Sequence, residues 1–179
     1  MGQDGGVEGR DYIENNSWAI VSLMAFGLDS PTRLYLYSQH VRQRNIPDGG
    51  IPTVGMEGFY NTDAALTSAP NVKRENYYSH LDDHADIDAD MLTAKIESVL
   101  AENVKPTNMT RLGKTHMQRV LTGINSLSTK GSSNPNDWIV NCSRQGVDQE
   151  NKNLANQTTL NLTLKTGAIE HDVVAGIAF

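Results

Sequence analysis

A chain of 179 residues with a net charge of −6 and a sequence pI near 5.3 lacks the clustered Lys and Arg that a nucleic-acid partner demands. Only 38% of its residues are hydrophobic, lean for a packed core of this length, and its one cysteine, Cys142, excludes an internal disulfide framework and any cysteine-rich metal site. No apolar stretch approaches the roughly 20 residues of a spanning helix, and the start, Met1-Gly-Gln-Asp-Gly-Gly, has no basic region followed by an apolar core, so no signal peptide is expected there.

Alternation of apolar and polar residues dominates the chain. Residues 12–26 are strand-like but alternate imperfectly. Residues 33–45 are β-rich, with Tyr35 and Tyr37 opposite Leu34 and Leu36. In 88–100, Leu92, Ala94 and Ile96 alternate with Met91, Thr93, Lys95 and Glu97, which fits a strand better than a short helix over 91–100. Residues 107–122 are the most polar and read as a strand because their neighbours require one. In 153–165, Leu160, Leu162 and Leu164 alternate with Thr159, Asn161, Thr163 and Lys165. The last segment, 169–179, puts Val173, Ala175, Ile177 and Phe179 on one face.

Short connections at 27–32, 101–106 and 166–168 alternate with long polar ones at about 44–88 and 123–153. A compact soluble domain seldom contains such long irregular connections. Outer-membrane barrels do, with tight turns at the periplasmic end and long loops outside, and strands of about ten residues cross their wall. The pattern predicts an all-β fold, an antiparallel meander of about six strands in hairpin order.

Two groups of residues invite a chemical reading. The run from His80 to Asp90 is rich in His and Asp, which ligate metals, but it lacks the Gly and terminal Glu of a calcium-binding loop and reads as a solvated loop end leading into a strand. Sequons at Asn15, Asn108, Asn141, Asn156 and Asn161 would be glycan acceptors in a secreted protein, yet several fall in predicted strands. No nucleophile-elbow, zinc-protease or phosphate-loop motif occurs, so no enzyme is expected and no cofactor.

Several motifs, in order along the chain, carry a family resemblance. They are Gly9-Arg10-Asp11, the run from Gly27 through Pro31 to Leu34, His40, and the run from Asn45 to Pro52. Further on come Arg74-Glu75-Asn76-Tyr77-Tyr78, the run from Asp90 to Glu97, Asp148 to Asn151, Asn156-Gln157-Thr158, Glu170-His171 and Ala175-Gly176. Together they resemble the early barrel of TonB-dependent outer-membrane siderophore receptors, and among these the catecholate siderophore receptors.

The resemblance implies residence in the Gram-negative cell outer membrane and an open arc cut from a barrel of about 22 strands. Its two long connections would then be extracellular loops. Residues 1–179 would form a partial barrel domain, with Met1 in mid-strand and with the plug, the signal peptide and the rest of the barrel lying outside the sequence. The implied partners are a ferric siderophore, the TonB complex acting through the plug, and outer-membrane lipid; no nucleic acid is implied. Such a fragment is not expected to transport by itself.

Ferric catecholates are anionic and flat-sided, which suits cationic forks and aromatic faces. Arg42, Arg44, Tyr60, Arg74, Tyr77 and Tyr78, read as lying on the loop over 44–88, are therefore the candidate ligand contacts, with Lys73 beside them. The residues leave a second reading open, a soluble secreted β-rich module binding a ligand or glycan. The two differ in what covers the apolar face. In a barrel, Leu92, Leu160, Leu162 and Leu164 point to lipid and Thr93, Lys95, Asn161 and Thr163 to the lumen; in a sandwich the leucines lie under a second sheet.

Overall fold

A computed structural model describes residues 2–179, and Met1, placed by the resemblance in mid-strand, lies outside them. Seven strands form one antiparallel sheet in strict chain order. They are β1 (Gly2–Gln3), β2 (Glu14–Phe26), β3 (Thr32–Ile46), β4 (His84–Ser98), β5 (Val104–Ser128), β6 (Ile139–Thr166) and β7 (Ile169–Ala178). The helices are a single turn, α1 (Ala64–Thr67), and a 3₁₀ turn at Pro135–Asp137. Six strands match the expected ones in order and pairing, and β1 adds a two-residue pairing with Ser17 and Trp18.

The tight turns follow from residues that tolerate them. At the β2–β3 turn Gly27 has φ 69°, and a Cβ there would sit 2.5 Å from the carbonyl oxygen of Thr32, so only glycine fits. Gly167, with φ 61°, takes the left-handed conformation of the β6–β7 turn, with open space around it. Pro106, expected in a connection, is the third residue of β5, opposite Leu160. It lacks a ladder donor, and strands accept that near their start.

One expected loop is much shorter than the sequence implied. The connection placed at 123–153 shrinks to 129–138, because β5 runs to Ser128 and β6 starts at Ile139. The ladder between them continues through polar residues with one irregularity between Ile124 and Ser126. Backbone pairing needs no apolar side chain, so the loss of hydrophobic alternation past residue 122 marked a change of surroundings and not the end of the strand.

Paired residues share a face, and the register gathers the leucines on one of them, where Asn108, Thr110, Asn156 and Thr158 form a polar cluster between them. Leu92 stands beside Leu112, and Leu112 beside Leu154; Ile96 joins Leu34, Leu160 joins Ala175, and Leu162 joins Val104 and Val173. Thr93, Lys95, Glu97, Asn161 and Thr163 occupy the other face. No second layer covers the leucines. The buried apolar residues among those described are Ile13, Val54 and Leu66, all outside the strands, while Leu92, Leu112 and Leu154 are 49%, 51% and 59% exposed. A soluble sandwich would bury them; this sheet leaves its apolar face bare.

Candidate functional site

The connection over 47–83 is the long loop of the molecule, and polar anchors hold it onto the β5–β6 hairpin. Asp63 caps α1 by accepting from the Ala65 amide at 2.9 Å, and its other oxygen accepts from the Thr129 hydroxyl at 2.6 Å. Chiefly through that Thr129 bond, its carboxyl titrates below the ordinary range. At the loop's end Asp83, 2% exposed, accepts from the Thr122 amide at 2.6 Å and the Thr122 hydroxyl at 3.0 Å. Arg144 lies 3.3 Å from Asp83 and 2.7 Å from Asp82. The hydrogen bond from Arg144 is the main reason Asp82 also titrates low. Ser79 bridges the two sides, donating to the Thr122 carbonyl at 2.9 Å and accepting from the Gly49 amide at 3.0 Å.

The β1–β2 connection joins the same assembly. Arg10 donates to the Arg74 carbonyl and pairs with Asp48 at 2.6 Å, and the Asp11 amide donates to the Glu75 carbonyl at 2.9 Å. Tyr12 packs against Tyr77 with ring centroids 5.7 Å apart. The Tyr77 hydroxyl donates to the His80 carbonyl at 3.2 Å, and burial, seconded by the charge of Asp83, pushes its pKa up.

These placements divide the candidate ligand residues. Tyr60 (82% exposed) and Arg74 stand open to solvent on the loop. Tyr77 and Tyr78 are half-buried, with the Tyr78 hydroxyl accepting from Asn76 at 3.1 Å. Arg42 and Arg44, expected on the loop, belong to β3 and share a face with Leu34 and Leu36. Their partners come from the acidic run: Arg42 binds both oxygens of Asp90 at 2.9 and 3.0 Å, and Arg44 binds Asp88 at 2.7 Å. From His84 onward that run is β4, and Asp86, Asp88 and Asp90 line one face opposite Arg44, Arg42 and His40. The alternating Asp-x-Asp-x-Asp pattern was the available signal for this ladder.

The ion pairs continue across the sheet on that same face. Glu150 holds Lys114 at 2.8 Å and Lys152 at 2.7 Å, and Asp148 accepts from His116 at 2.8 Å and Gln118 at 3.0 Å. Trp18 lies beneath the Arg42 guanidinium, 5.8 Å from ring centroid to carbon. A charged belt thus sits directly beyond the leucines at the end of the sheet that carries the long loop.

Comparison with known proteins is consistent along the whole length, although no family model matches. The catecholate siderophore receptor Fiu of Escherichia coli is 37% identical over 100% of this chain, and the probable TonB-dependent receptor BfrD of Bordetella pertussis is 29% identical over 97%. The chain spans 24% of the length of Fiu and 22% of BfrD. In three dimensions it is similar to the closed form of the ferric-catecholate import receptor Fiu from Escherichia coli, with a TM-score of 0.91 and 34% identity over 99% of this chain and 26% of that one. The siderophore receptor PiuA from Acinetobacter baumannii superimposes with a TM-score of 0.68 and 25% identity, over 98% of this chain and 24% of that one. In sequence and in fold, this chain is similar along its whole length to a stretch of barrel wall of TonB-dependent siderophore receptors.

Proposed function

We propose that the chain forms wall and extracellular loop of an outer-membrane receptor that takes up ferric siderophores of the catecholate type. The bare leucine face carries this reading. In water it is a liability, and in a bilayer it is the lipid contact. In β6 that face runs from Leu154 through Asn156, Thr158, Leu160 and Leu162 to Leu164, within the length of about 9–11 residues that a tilted strand needs to cross. Uptake powered by TonB requires a plug, so the segment supplies the surface that the ligand passes and not the motor. Tyr60 and Arg74 are the exposed candidates for first contact with an anionic aromatic ligand, through cation–π and charge-assisted bonds.

The test is a hybrid in which this chain replaces the matching segment of Escherichia coli Fiu. The proposal expects the hybrid to reach the outer membrane and support growth on a ferric catecholate as sole iron source. A hybrid inserted at normal levels that imports none contradicts the siderophore reading, and one that never inserts contradicts the wall reading.

A further inference from the structure

Two of the sequons, Asn108-Met109-Thr110 and Asn156-Gln157-Thr158, lie directly opposite one another in β5 and β6. Because the strands are antiparallel, each Asn meets the Thr of the other triplet: Asn108 pairs with Thr158, and Asn156 with Thr110. The four side chains close a ring. Asn108 donates to Thr158 Oγ1 at 2.7 Å and to Asn156 Oδ1 at 3.2 Å, and Asn156 donates to Thr110 Oγ1 at 2.7 Å and to Asn108 Oδ1 at 3.3 Å. The Thr110 hydroxyl donates to Asn108 Oδ1 at 3.3 Å and the Thr158 hydroxyl to Asn156 Oδ1 at 3.5 Å. Two amides and two hydroxyls carry six polar hydrogens, and all six are used inside the ring. No donor is left over for a partner outside it.

The ring is a polar island. Leu112 and Leu154 stand on one side of it along the strands and Leu160 on the other, with Ala94 and Ile96 of β4 and Ile177 of β7 at its flanks. The inference rests on the wall reading, which gives this face to lipid. Hydrocarbon offers an amide N–H no partner, so polar side chains are tolerated there when they satisfy one another. One register meets that condition. A slip of one residue turns the leucines to the opposite face, but a slip of two keeps every side chain on its own. The backbone ladder does not forbid it, and the connection over 129–138 is too long to fix the pairing as a tight turn does. One such slip sets Leu112 against Asn156 and Thr110 against Thr158; the other sets Asn108 against Asn156 and Thr110 against Leu154. Both break the ring and leave amide hydrogens facing hydrocarbon. The observed register also puts Arg144 beside Thr122, where both reach Asp83, and a slip of two moves Arg144 away by about 7 Å along the strand. We propose that the paired Asn-x-Thr triplets are a register clamp, a closed ring that is silent towards lipid only in the pairing that brings the β5–β6 hairpin to the anchors of the long loop.

The test refolds the Fiu hybrid, carrying Cys142→Ser, into vesicles and compares it with two ring variants, Asn108→Ala and the all-apolar Asn108→Leu/Thr110→Val/Asn156→Leu/Thr158→Val. Met117 and Gln149 face one another beyond the leucines, so Met117→Cys with Gln149→Cys reports the observed register by its disulfide. Met117→Cys with Val147→Cys or with Asn151→Cys reports a slip of two. Asn108→Ala strands the partners of the lost amide and should lower the urea midpoint. The all-apolar variant has nothing left to satisfy and should unfold at higher urea than Asn108→Ala. Its fidelity should fall, with the slipped disulfides rising about tenfold over the parent hybrid. An all-apolar variant that fails to insert, that unfolds before Asn108→Ala, or that keeps the register as faithfully as the parent overturns the proposal and leaves the wall reading intact. Failure of the parent hybrid to insert counts against the wall reading itself.

Discussion

Asp83 closes the long connection by accepting four hydrogen bonds or ion contacts, from the amide and hydroxyl of Thr122, from the His80 amide and from Arg144, while almost wholly removed from water. Asp83→Ala leaves the Thr122 amide without its partner at a buried site. The expected result is an opening of the loop made easier by about 2 kcal/mol, roughly thirtyfold, with the strands unaffected. Hydrogen exchange of amides over 75–83 compared with those of β4 measures it. Asp63 and Asp82 add a pH dependence whose sign follows from their lowered pKa values. A carboxyl with a folded pKa below its unfolded one contributes stability that is present above the unfolded value and is lost as pH falls through the folded value. The anchoring should therefore be constant from neutral pH down to about 5 and loosen only below about 4, the ordinary Asp range. Protection factors over 60–83 that decline between pH 7 and 5 would contradict this assignment.

β6 shows most plainly what strand alternation means here. Leu160, Leu162 and Leu164 face one way, and Asn161, Thr163 and Lys165 the other. Leu160→Lys puts an ammonium near the middle of the face proposed to meet lipid and should cost about 2–4 kcal/mol of folding stability, while Asn161→Lys on the opposite face should be near neutral. Urea titration of the barrel hybrid in vesicles measures the difference, and equal costs would argue that both faces are wet. The alternating leucines made β6 and β4 legible from residues alone. The ends of β5 and β6 were not, because beyond the rows of leucines the ladder is held by backbone bonds and its side chains carry no periodic mark. The same limit misplaced Arg42 and Arg44: they read as loop cations, and only the register with β4 shows them paired with Asp88 and Asp90 on the wall. The Asp83–Arg144 anchor joins positions far apart in the chain, and no local pattern announces it.

At the scale of the molecule, one sheet without a covering layer explains both the low hydrophobic content and the absence of a buried core in the strands. Its edges, β1 with β2 on one side and β7 on the other, present unpaired backbone groups. In detergent-free buffer the isolated chain should therefore self-associate, with no cooperative thermal transition; a monomer melting sharply in water would contradict the wall reading. The likeness to siderophore receptors was legible through motifs in order, and the fold through the rhythm of short and long connections. The central claim is that one face of this sheet meets lipid and the other the lumen. Spin labels at single cysteines 160, 161, 162 and 163, in a Cys142→Ser background of the inserted hybrid, test it through collision with oxygen and with a water-soluble nickel chelate. The account predicts a period of two, with oxygen dominating at 160 and 162 and the nickel chelate at 161 and 163. A reversed phase, or no alternation across the four positions, would contradict it.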